Sequence, residues 1–357
     1  MNLVETLGVE IGVRQTGTDA AVRAADAIAG AFRELGLEPR FQEFEFLGYD
    51  AEEPELEIDG ERWPAGPCMY AHPGEVEGEI EKLSDGVWAV GEGRLLHVDF
   101  AKGAIPFLTS TFFGGHIATP PTAFVSRADA ARLPAGAHAR LRVGGRFVPG
   151  RRDRNVIADI PGASDEVVVV GAHFDSVWRG PGVIDNATGV EGIRRVAERL
   201  AGRELPRTVR FVAFAAEEIS LLGARRFVHA AKERDELSKI VGMVNLDCIG
   251  HGEKLELLVS PAELLGRATE LAAGLGLLDR YELETSIAEE AGTDHLPFAK
   301  EGIPAASILY FPYDEYHLPE ERIELVDEQK LADAVDLAVA LVESQLTLPV
   351  ARLKLRP

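Results

Sequence analysis

The sequence predicts an α/β protein with a three-layer αβα architecture, in which helices cover both faces of a central sheet. From residue 167 onward, near-continuous apolar segments such as VVVVGAH (167–173) and TVRFVAFAA (208–216) alternate with amphipathic segments of helical period. Apolar runs of this length are typical of strands buried on both faces, and their alternation with helices is typical of a layered α/β fold. Residues 47–149 lack this alternation, which indicates a small β-rich insertion.

The individual elements follow from their periodicity. Residues 18–36 carry apolar side chains at helical spacing, with an acidic start and a glycine stop, and PRFQEFEF (39–46) alternates as a strand does. Further strands are predicted at 167–173, 208–216, 240–250, 254–260, 280–286 and 304–310. Further helices are predicted at 189–202, 220–231, 261–276 and 327–346.

The insertion is rich in glycine and proline and contains the short β-like segments ELEIDG, VEGEIEKL, GRLLHVDF and ARLRVGG. One helix-like segment, 127–134, interrupts them. We therefore predict two structural units. The main domain comprises residues 1–46 and 150–357, and the inserted domain comprises residues 47–149.

Composition and charge argue against several classes of function. The net charge of −22 disfavours nucleic acid as a partner, because phosphate binding needs a basic surface. No apolar run reaches the roughly 18 residues of a membrane span. The start MNLVETLGVEIG has no basic or apolar region typical of a signal peptide, so we expect a cytoplasmic protein, or a secreted one if a signal has been removed. Cys68 and Cys248 form no CxxC pair, which excludes cysteine ligation of zinc.

Histidines and carboxylates collect where the predicted strands end, the edge at which open α/β sheets place their chemistry. Each has an ordinary alternative, since a strand-end histidine is more often a hydrogen-bonded core residue and adjacent glutamates are usually solvated. Their occurrence together at successive strand ends favours a single metal site. The residues are His173, Asp175, Glu217, Glu218 and Asp247 at strand ends, Asp185 in the loop GPGVIDNATG, and His317 in EYHLPEE.

Two histidines and three carboxylates without a cysteine suit zinc or a similar divalent ion. One zinc ion with three protein ligands would leave two of these five residues without a metal ion. Two ions about 3.5–4 Å apart that share one carboxylate would engage all five residues as ligands. Asp185 is the predicted shared ligand, because its loop lies between the strands of His173 and Glu218. Cobalt or manganese could replace zinc, because this ligand set does not separate these metals sharply.

The remaining carboxylates have predicted roles beside the metals. His173 and Asp175 are two residues apart, so both can point to the same side of a strand, and Asp175 would hold the imidazole in its metal-binding tautomer. Adjacent residues at a strand end point in different directions, so one glutamate would bind metal while the other faces the attacking water. We infer that Glu217 is the general base that passes the proton of this water to the leaving amine.

These motifs resemble the co-catalytic di-zinc aminopeptidase family, whose relatives include glutamate carboxypeptidase, glutaminyl cyclase and the transferrin receptor ectodomain. The resemblance rests on GAHFDSV, GPGVIDNATG, FAAEEISLLGARRF, VNLDCIG, TDHLPFAKEGIPA and EYHLPEE, and it covers roughly residues 150–330. It implies a mixed, roughly eight-stranded sheet in the main domain. It also implies that the insertion at 47–149 is a protease-associated domain near the mouth of the active site.

The resemblance also implies roles for single residues. One zinc ion would be bound by His173, Asp185 and Asp247, and the second by Asp185, Glu218 and His317. Tyr316 would support the oxyanion of the reaction. The family often has an aspartate shortly after Tyr-His-Thr-Pro, whereas this chain continues His-Leu-Pro-Glu-Glu. Two alternatives follow: Glu320 or Glu321 replaces that aspartate in supporting His317, or the second zinc ion binds more weakly.

The predicted function is hydrolysis of the N-terminal peptide bond of peptides with a free N-terminus. A glutamate-type carboxypeptidase would need arginines aimed at the substrate carboxylate; Arg179 lies near the site, but the sequence shows no arginine cluster. A glutaminyl cyclase uses a single zinc ion and usually lacks the first histidine, which is present here as His173. A receptor-like domain without catalysis would have lost the ligands and the base. The sequence does not indicate an oligomeric state.

Overall fold

Helices and strands alternate along the chain largely as predicted. The computed structural model describes residues 2–97, 120–287 and 292–347. The helices are α1 (Leu3–Glu5), α2 (Asp19–Glu34), α3 (Arg127–Ala130), α4 (Gly189–Leu200), α5 (Leu222–Glu233), α6 (Ala262–Gly274), α7 (Leu296–Lys300) and α8 (Glu328–Thr347). The strands are β1 (Arg40–Ala51), β2 (Glu55–Ile58), β3 (Glu61–Trp63), β4 (Gly66–Pro67), β5 (Gly74–Ser84), β6 (Val87–Val90), β7 (Gly93–Leu96), β8 (Thr122–Phe124), β9 (His138–Val143), β10 (Gly145–Ile160), β11 (Val167–His173), β12 (Thr208–Phe214), β13 (Ile240–Leu246), β14 (Lys254–Ser260), β15 (Leu283–Ile287) and β16 (Ala305–Phe311).

A mixed sheet of eight strands forms the centre of the molecule, in the order β1-β10-β12-β11-β13-β16-β14-β15. The four strands β12, β11, β13 and β16 run parallel to one another, while β10 is antiparallel to both β1 and β12. Parallel strands bring their carboxyl ends to one edge of the sheet. The mixed eight-stranded sheet confirms the expected fold class.

Helices pack on both faces of this sheet because its central strands are apolar on both faces. In β11, Val168 and Val170 belong to a core that also contains buried residues of α2, α4, α6 and α8. The alternate residues Val167 and Val169 belong to a second core with α5 and α7. Since side chains alternate between faces along a strand, the unbroken valine run is required by the three-layer architecture.

The helix predicted at 18–36 is observed as α2, which begins after the capping residue Thr18 and ends shortly before Gly36. The side chain of Thr18 accepts a hydrogen bond from the backbone N–H of Ala21, which satisfies one of the unpaired amides at the helix N-terminus. At the other end, Gly36 has a φ of 77°, a left-handed conformation that favours glycine.

One long strand, β10, was not predicted. Its first half, GRFVPGRRDR, is mostly polar and partly exposed, so it shows no apolar alternation. β10 nevertheless pairs antiparallel with β1 from Arg40↔Ile157 to Ala51↔Gly145. The chain enters the insertion from β1 and returns from it through β10. Its position was set by pairing with a distant strand and not by local sequence.

The insertion contributes to a second sheet of eight strands, in the order β3-β2-β9-β5-β6-β7-β8-β4. This sheet has its own apolar core, which includes Leu56, Trp88 and Phe124. The β-like segment GRLLHVDF forms β7, and its residues 98–100 lie outside the described residues. The boundaries at 47 and 149, and the protease-associated identity of the insertion, stay predictions. Among the helices in the described ranges, none has the length and apolar character needed to cross a bilayer.

Candidate metal centre

The predicted ligands meet at the carboxyl edge of the parallel strands. His173 is the last residue of β11, Asp247 directly follows β13, and Glu218 lies in the turn after β12. Asp185 lies in the helical turn Val183–Thr188 between β11 and α4, and His317 lies in the loop after β16. The parallel arrangement therefore brings all five predicted ligands together, although they are far apart in the sequence.

The five side chains form two clusters that share Asp185. In the first, His173 Nε2 lies 3.0 Å from Asp185 Oδ1 and 3.4 Å from Asp247 Oδ1. In the second, His317 Nε2 lies 3.0 Å from Asp185 Oδ2 and 3.4 Å from Glu218 Oε2. Each oxygen of Asp185 thus faces a different histidine.

The spacing of these atoms fits metal ligation better than hydrogen bonding. Asp185 Oδ1, Glu218 Oε1 and both ring nitrogens of His317 are buried without a hydrogen-bond partner among the described residues. A buried polar atom without a hydrogen-bond partner lowers the stability of the folded protein unless another group, such as a metal ion, binds it. Two ligands of one tetrahedral zinc ion, with bonds of about 2.0–2.1 Å, lie about 3.3 Å apart. The observed separations of 3.0–3.4 Å match this value, so the residues fit one divalent ion in each cluster.

The site carries an excess of negative charge. Burial raises the pKa of Glu217, Glu218 and Asp247, and the neighbouring carboxylates add to this rise. Burial also opposes ionisation of Asp185, but the imidazoles of His173 and His317 outweigh it and lower the pKa of Asp185 below its usual range. Bound cations would stabilise the ionised carboxylates, as expected for a metal centre.

Asp175 links the first histidine to the paired glutamates. Its Oδ1 lies 3.5 Å from His173 Nδ1, on the side of the ring opposite the metal-facing Nε2. Asp175 also accepts hydrogen bonds from the backbone N–H groups of Glu217 (3.1 Å) and Glu218 (3.3 Å) and from the hydroxyl of Thr16 (2.8 Å). His173 Nδ1 also lies 3.3 Å from the backbone carbonyl oxygen of Asp175, so Asp175 contacts both the imidazole and the glutamate turn, and its role in orienting the imidazole stays a prediction.

Glu217 and Glu218 approach different histidines. A left-handed residue, Ala216 with a φ of 60°, turns the chain just before them. Glu218 approaches His317, whereas Oε2 of Glu217 lies 4.0 Å from His173 Nε2 and its side chain is 16% exposed. A third possible ligand group joins both glutamates to one histidine, because one potential ligand atom from each of His173, Glu217 and Glu218 lies within 4.8 Å of the others. The shorter contacts of Glu218 favour it as the ligand, and the assignment stays a prediction.

Tyr316 lies directly beside the second cluster. Its ring stacks on that of His317, with centroids 3.8 Å apart and an interplanar angle of 23°. Burial raises the pKa of Tyr316 well above its usual value, so its hydroxyl stays protonated and able to donate a hydrogen bond at neutral pH. Its predicted support of an oxyanion stays a prediction.

The expected support of His317 by Glu320 or Glu321 is wrong. Glu320 is exposed, and Nδ1 of His317 has no hydrogen-bond partner among the described residues. Glu321 is buried, and its Oε1 accepts hydrogen bonds from the backbone N–H groups of Ile184 (2.5 Å) and Asp185 (2.6 Å). Glu321 therefore supports the turn that carries Asp185.

Sequence reasoning missed two residues that border the site. Arg14 is fully buried behind the metal cluster, and Thr16 donates its hydroxyl proton to Asp175. Both precede α2 in a short segment without apolar periodicity, where polar residues are ordinarily solvated. No local pattern marks them, because the contacts that join them to the site are made with residues more than 150 positions further along the chain.

An apolar cavity adjoins Glu218 between the carboxyl edge of the sheet and the insertion. Its walls combine residues of both regions, and aromatic rings form much of its surface. The apolar lining residues are Phe46, Tyr49, Met69, Tyr70, Val177, Trp178 and Ile219.

Comparison with known proteins places these features in a family context. The sequence model of Peptidase family M28 matches residues 155–342. Aminopeptidase YwaD of Bacillus subtilis (strain 168) is 26% identical over 386 aligned residues, which cover 95% of this chain and 82% of that protein. Leucine aminopeptidase 2 of Trichophyton rubrum is 35% identical over 196 residues, or 50% of this chain and 38% of that protein.

Solved structures share the fold. The zinc aminopeptidase BSAP from Bacillus subtilis superimposes with a TM-score of 0.77 at 21% identity, covering 98% of this chain and 96% of that one. The aminopeptidase from Aneurinibacillus sp. strain AM-1 superimposes with a TM-score of 0.74 at 22% identity, covering 100% and 95%. At these identities the likeness supports the fold alone.

Proposed function

Because the chain belongs to peptidase family M28, we propose that it is a metallo-aminopeptidase that removes N-terminal residues from peptides with a free N-terminus. Family membership makes the chain a zinc-dependent hydrolase. The observation that carries the finer proposal is the pair of ligand clusters that share Asp185. The names of relatives, an aminopeptidase and a leucine aminopeptidase, support the same class of substrate.

We propose two zinc ions per chain. One would be held by His173, Asp185 and Asp247, and the other by Asp185, Glu218 and His317. When bound, such ions act as Lewis acids that polarise a peptide carbonyl and lower the pKa of water.

Within this site Glu217 is the proposed general base. Its carboxylate lies beside the clusters and is partly exposed, so a water molecule and a peptide can reach it. It would take a proton from the attacking water and then give that proton to the leaving amine. Asp175 positions this residue through the backbone N–H of Glu217.

The geometry disfavours the carboxypeptidase alternative. Arg179, the arginine that the sequence analysis weighed for this role, forms an ion pair with Glu53 of the insertion. Its guanidinium also lies over the ring of Trp178, 4.5 Å from the centroid. Arg179 is therefore engaged with protein groups and is not presented as a binding site for a substrate carboxylate.

We expect metal content and substrate class to be established together. Elemental analysis should give about two zinc ions per chain. Aminoacyl-p-nitroanilides should be hydrolysed, and activity should disappear with a chelator and return with zinc. The control is the same set of substrates with an acetylated amino group, which an aminopeptidase does not cleave. One zinc ion per chain would contradict the two-ion site, and cleavage of peptides only from their C-terminus would support the carboxypeptidase.

We also propose that the insertion helps to bind substrate at the apolar cavity beside Glu218. Tyr70 lines this cavity and donates its hydroxyl proton to the carbonyl of Leu47 (2.7 Å). Tyr70→Ala should raise KM several-fold for apolar aminoacyl substrates with little change in kcat, because packing contacts that act equally in ground and transition states affect KM alone. Tyr70→Phe keeps the ring and serves as the control. An unchanged KM in Tyr70→Ala, measured on stably folded protein, would remove this residue from the substrate site.

A further inference from the structure

Arg14 joins the two loops that carry the first metal cluster. Its guanidinium is completely buried and donates hydrogen bonds to the carbonyl oxygens of Phe174, Pro181 and Gly182, the last at 2.6 Å. Its backbone N–H also donates to the hydroxyl of Ser176 (3.0 Å). Phe174 directly follows the predicted ligand His173. Arg14 therefore ties the end of β11 to the segment that enters the Asp185 turn.

Glu321 holds the same turn from its other side. A single carboxylate oxygen accepts hydrogen bonds from the backbone N–H groups of Ile184 and Asp185. The carbonyl groups at 181–182 thus face a buried guanidinium, while the amide groups at 184–185 face a buried carboxyl oxygen. Arg14 thus adds to the hydrogen bond that the Gly182 carbonyl accepts from the backbone N–H of Ala187 within the turn (3.1 Å), and Glu321 pairs the two amide groups.

Glu321 also acts on Arg14 through its charge. Among the charges that act on Arg14, Glu321 has the largest effect, although burial dominates and lowers the pKa of Arg14 to about 10. The guanidinium is therefore still protonated at neutral pH.

We propose that Arg14 and Glu321 form a two-sided clamp on the 181–185 turn that holds both oxygens of Asp185 toward the two histidines and thereby sets the zinc affinity of the protein. This inference rests on the proposed function, because it takes Asp185 to be the shared ligand. Neither clamp residue is one of the ligands, so both are positioning residues. Residues that orient metal ligands typically change metal affinity by about 10–100-fold when they are altered.

The test is the zinc affinity of the full chain, measured by titrating the zinc-loaded protein with a chromophoric chelator of known affinity. Arg14→Met removes the donors but keeps much of the side-chain length, and it should raise the zinc Kd by at least about 10-fold. Arg207→Met is the matched control. Arg207 forms an ion pair with Glu166 and donates a hydrogen bond to the carbonyl oxygen of Gln345. It directly precedes the first residue of β12, so it lies at the edge of the sheet opposite the predicted metal ligands. This variant should lose thermal stability but keep its zinc Kd within about two-fold.

A second pair of variants covers the case in which Arg14→Met does not fold. Glu321→Gln keeps a carbonyl oxygen that can accept from both amides, whereas Glu321→Ala keeps none. The clamp predicts that the zinc Kd of Glu321→Gln lies between that of the wild type and that of Glu321→Ala. A folded Arg14→Met or Glu321→Ala chain with the wild-type Kd would overturn the clamp.

The wild-type titration separates this inference from the proposed function. If the wild type binds two zinc ions and hydrolyses aminoacyl substrates while the variants bind zinc equally well, only the clamp fails. If the wild type binds no zinc, the proposed function fails and the clamp fails with it. Circular dichroism on each variant establishes that the compared chains are folded.

Discussion

Glu217→Gln should retain both zinc ions and lose about 10²–10⁴-fold in kcat, the range in which a general base contributes to catalysis. The amide has the shape of the carboxylate but cannot take a proton from water. Glu217 approaches His173 Nε2 only to 4.0 Å, whereas Glu218 lies 3.4 Å from His317 Nε2, so the loss of charge at Glu217 should affect the ligands least. Elemental analysis and steady-state kinetics on the same preparation measure both quantities.

The matched control for this variant is the adjacent glutamate. Glu218→Gln replaces a predicted ligand by the same isosteric change, and it should lose zinc as well as activity. Its backbone N–H can still donate to Asp175, so the local turn has the same support in both variants. Near-normal kcat in Glu217→Gln, or loss of zinc from it, would show that the roles of the two glutamates are assigned wrongly.

Asp185→Asn should lose both zinc and activity. The substitution removes the negative charge between the two histidines and replaces one oxygen by an NH₂ group, which cannot bind a metal ion. Each oxygen of Asp185 approaches a different histidine at 3.0 Å, so one cluster loses a ligand atom and the other keeps only a neutral amide oxygen. We expect zinc affinity to fall by more than the roughly 10–100-fold typical of residues outside the ligand set. Competitive chelator titration measures this change.

Asp333→Asn controls for the general effect of altering a buried carboxylate. Asp333 is buried, lies 2.6 Å from Arg280 and accepts a hydrogen bond from the Tyr281 hydroxyl at 2.7 Å, yet it is not part of the metal clusters. Its variant should be less stable than the wild type but should still bind two zinc ions. If Asp185→Asn also kept two zinc ions per chain, Asp185 could not be the shared ligand.

Several elements were predictable because their signals are local. The strands at 167–173 and 254–260 have the predicted bounds, since an apolar run bounded by turn residues needs no distant partner to be recognised. The helix predicted at 327–346 is observed at Glu328–Thr347. In contrast, β10 lacks an apolar pattern in its first half, and only its pairing with β1 makes it a strand.

The sequence by itself determined the order of the elements, the burial of the sheet on both faces and which polar residues lie at the strand ends. These features are predictable because the spacing of apolar residues along a short segment distinguishes a strand from a helix, and because parallel strands end at the same edge of a sheet. Only the tertiary structure decided how the site is supported. Glu321 binds the Asp185 turn and not His317, and Arg14 joins loops more than 150 residues away. These contacts depend on how distant segments pack against one another, a property that local sequence does not encode.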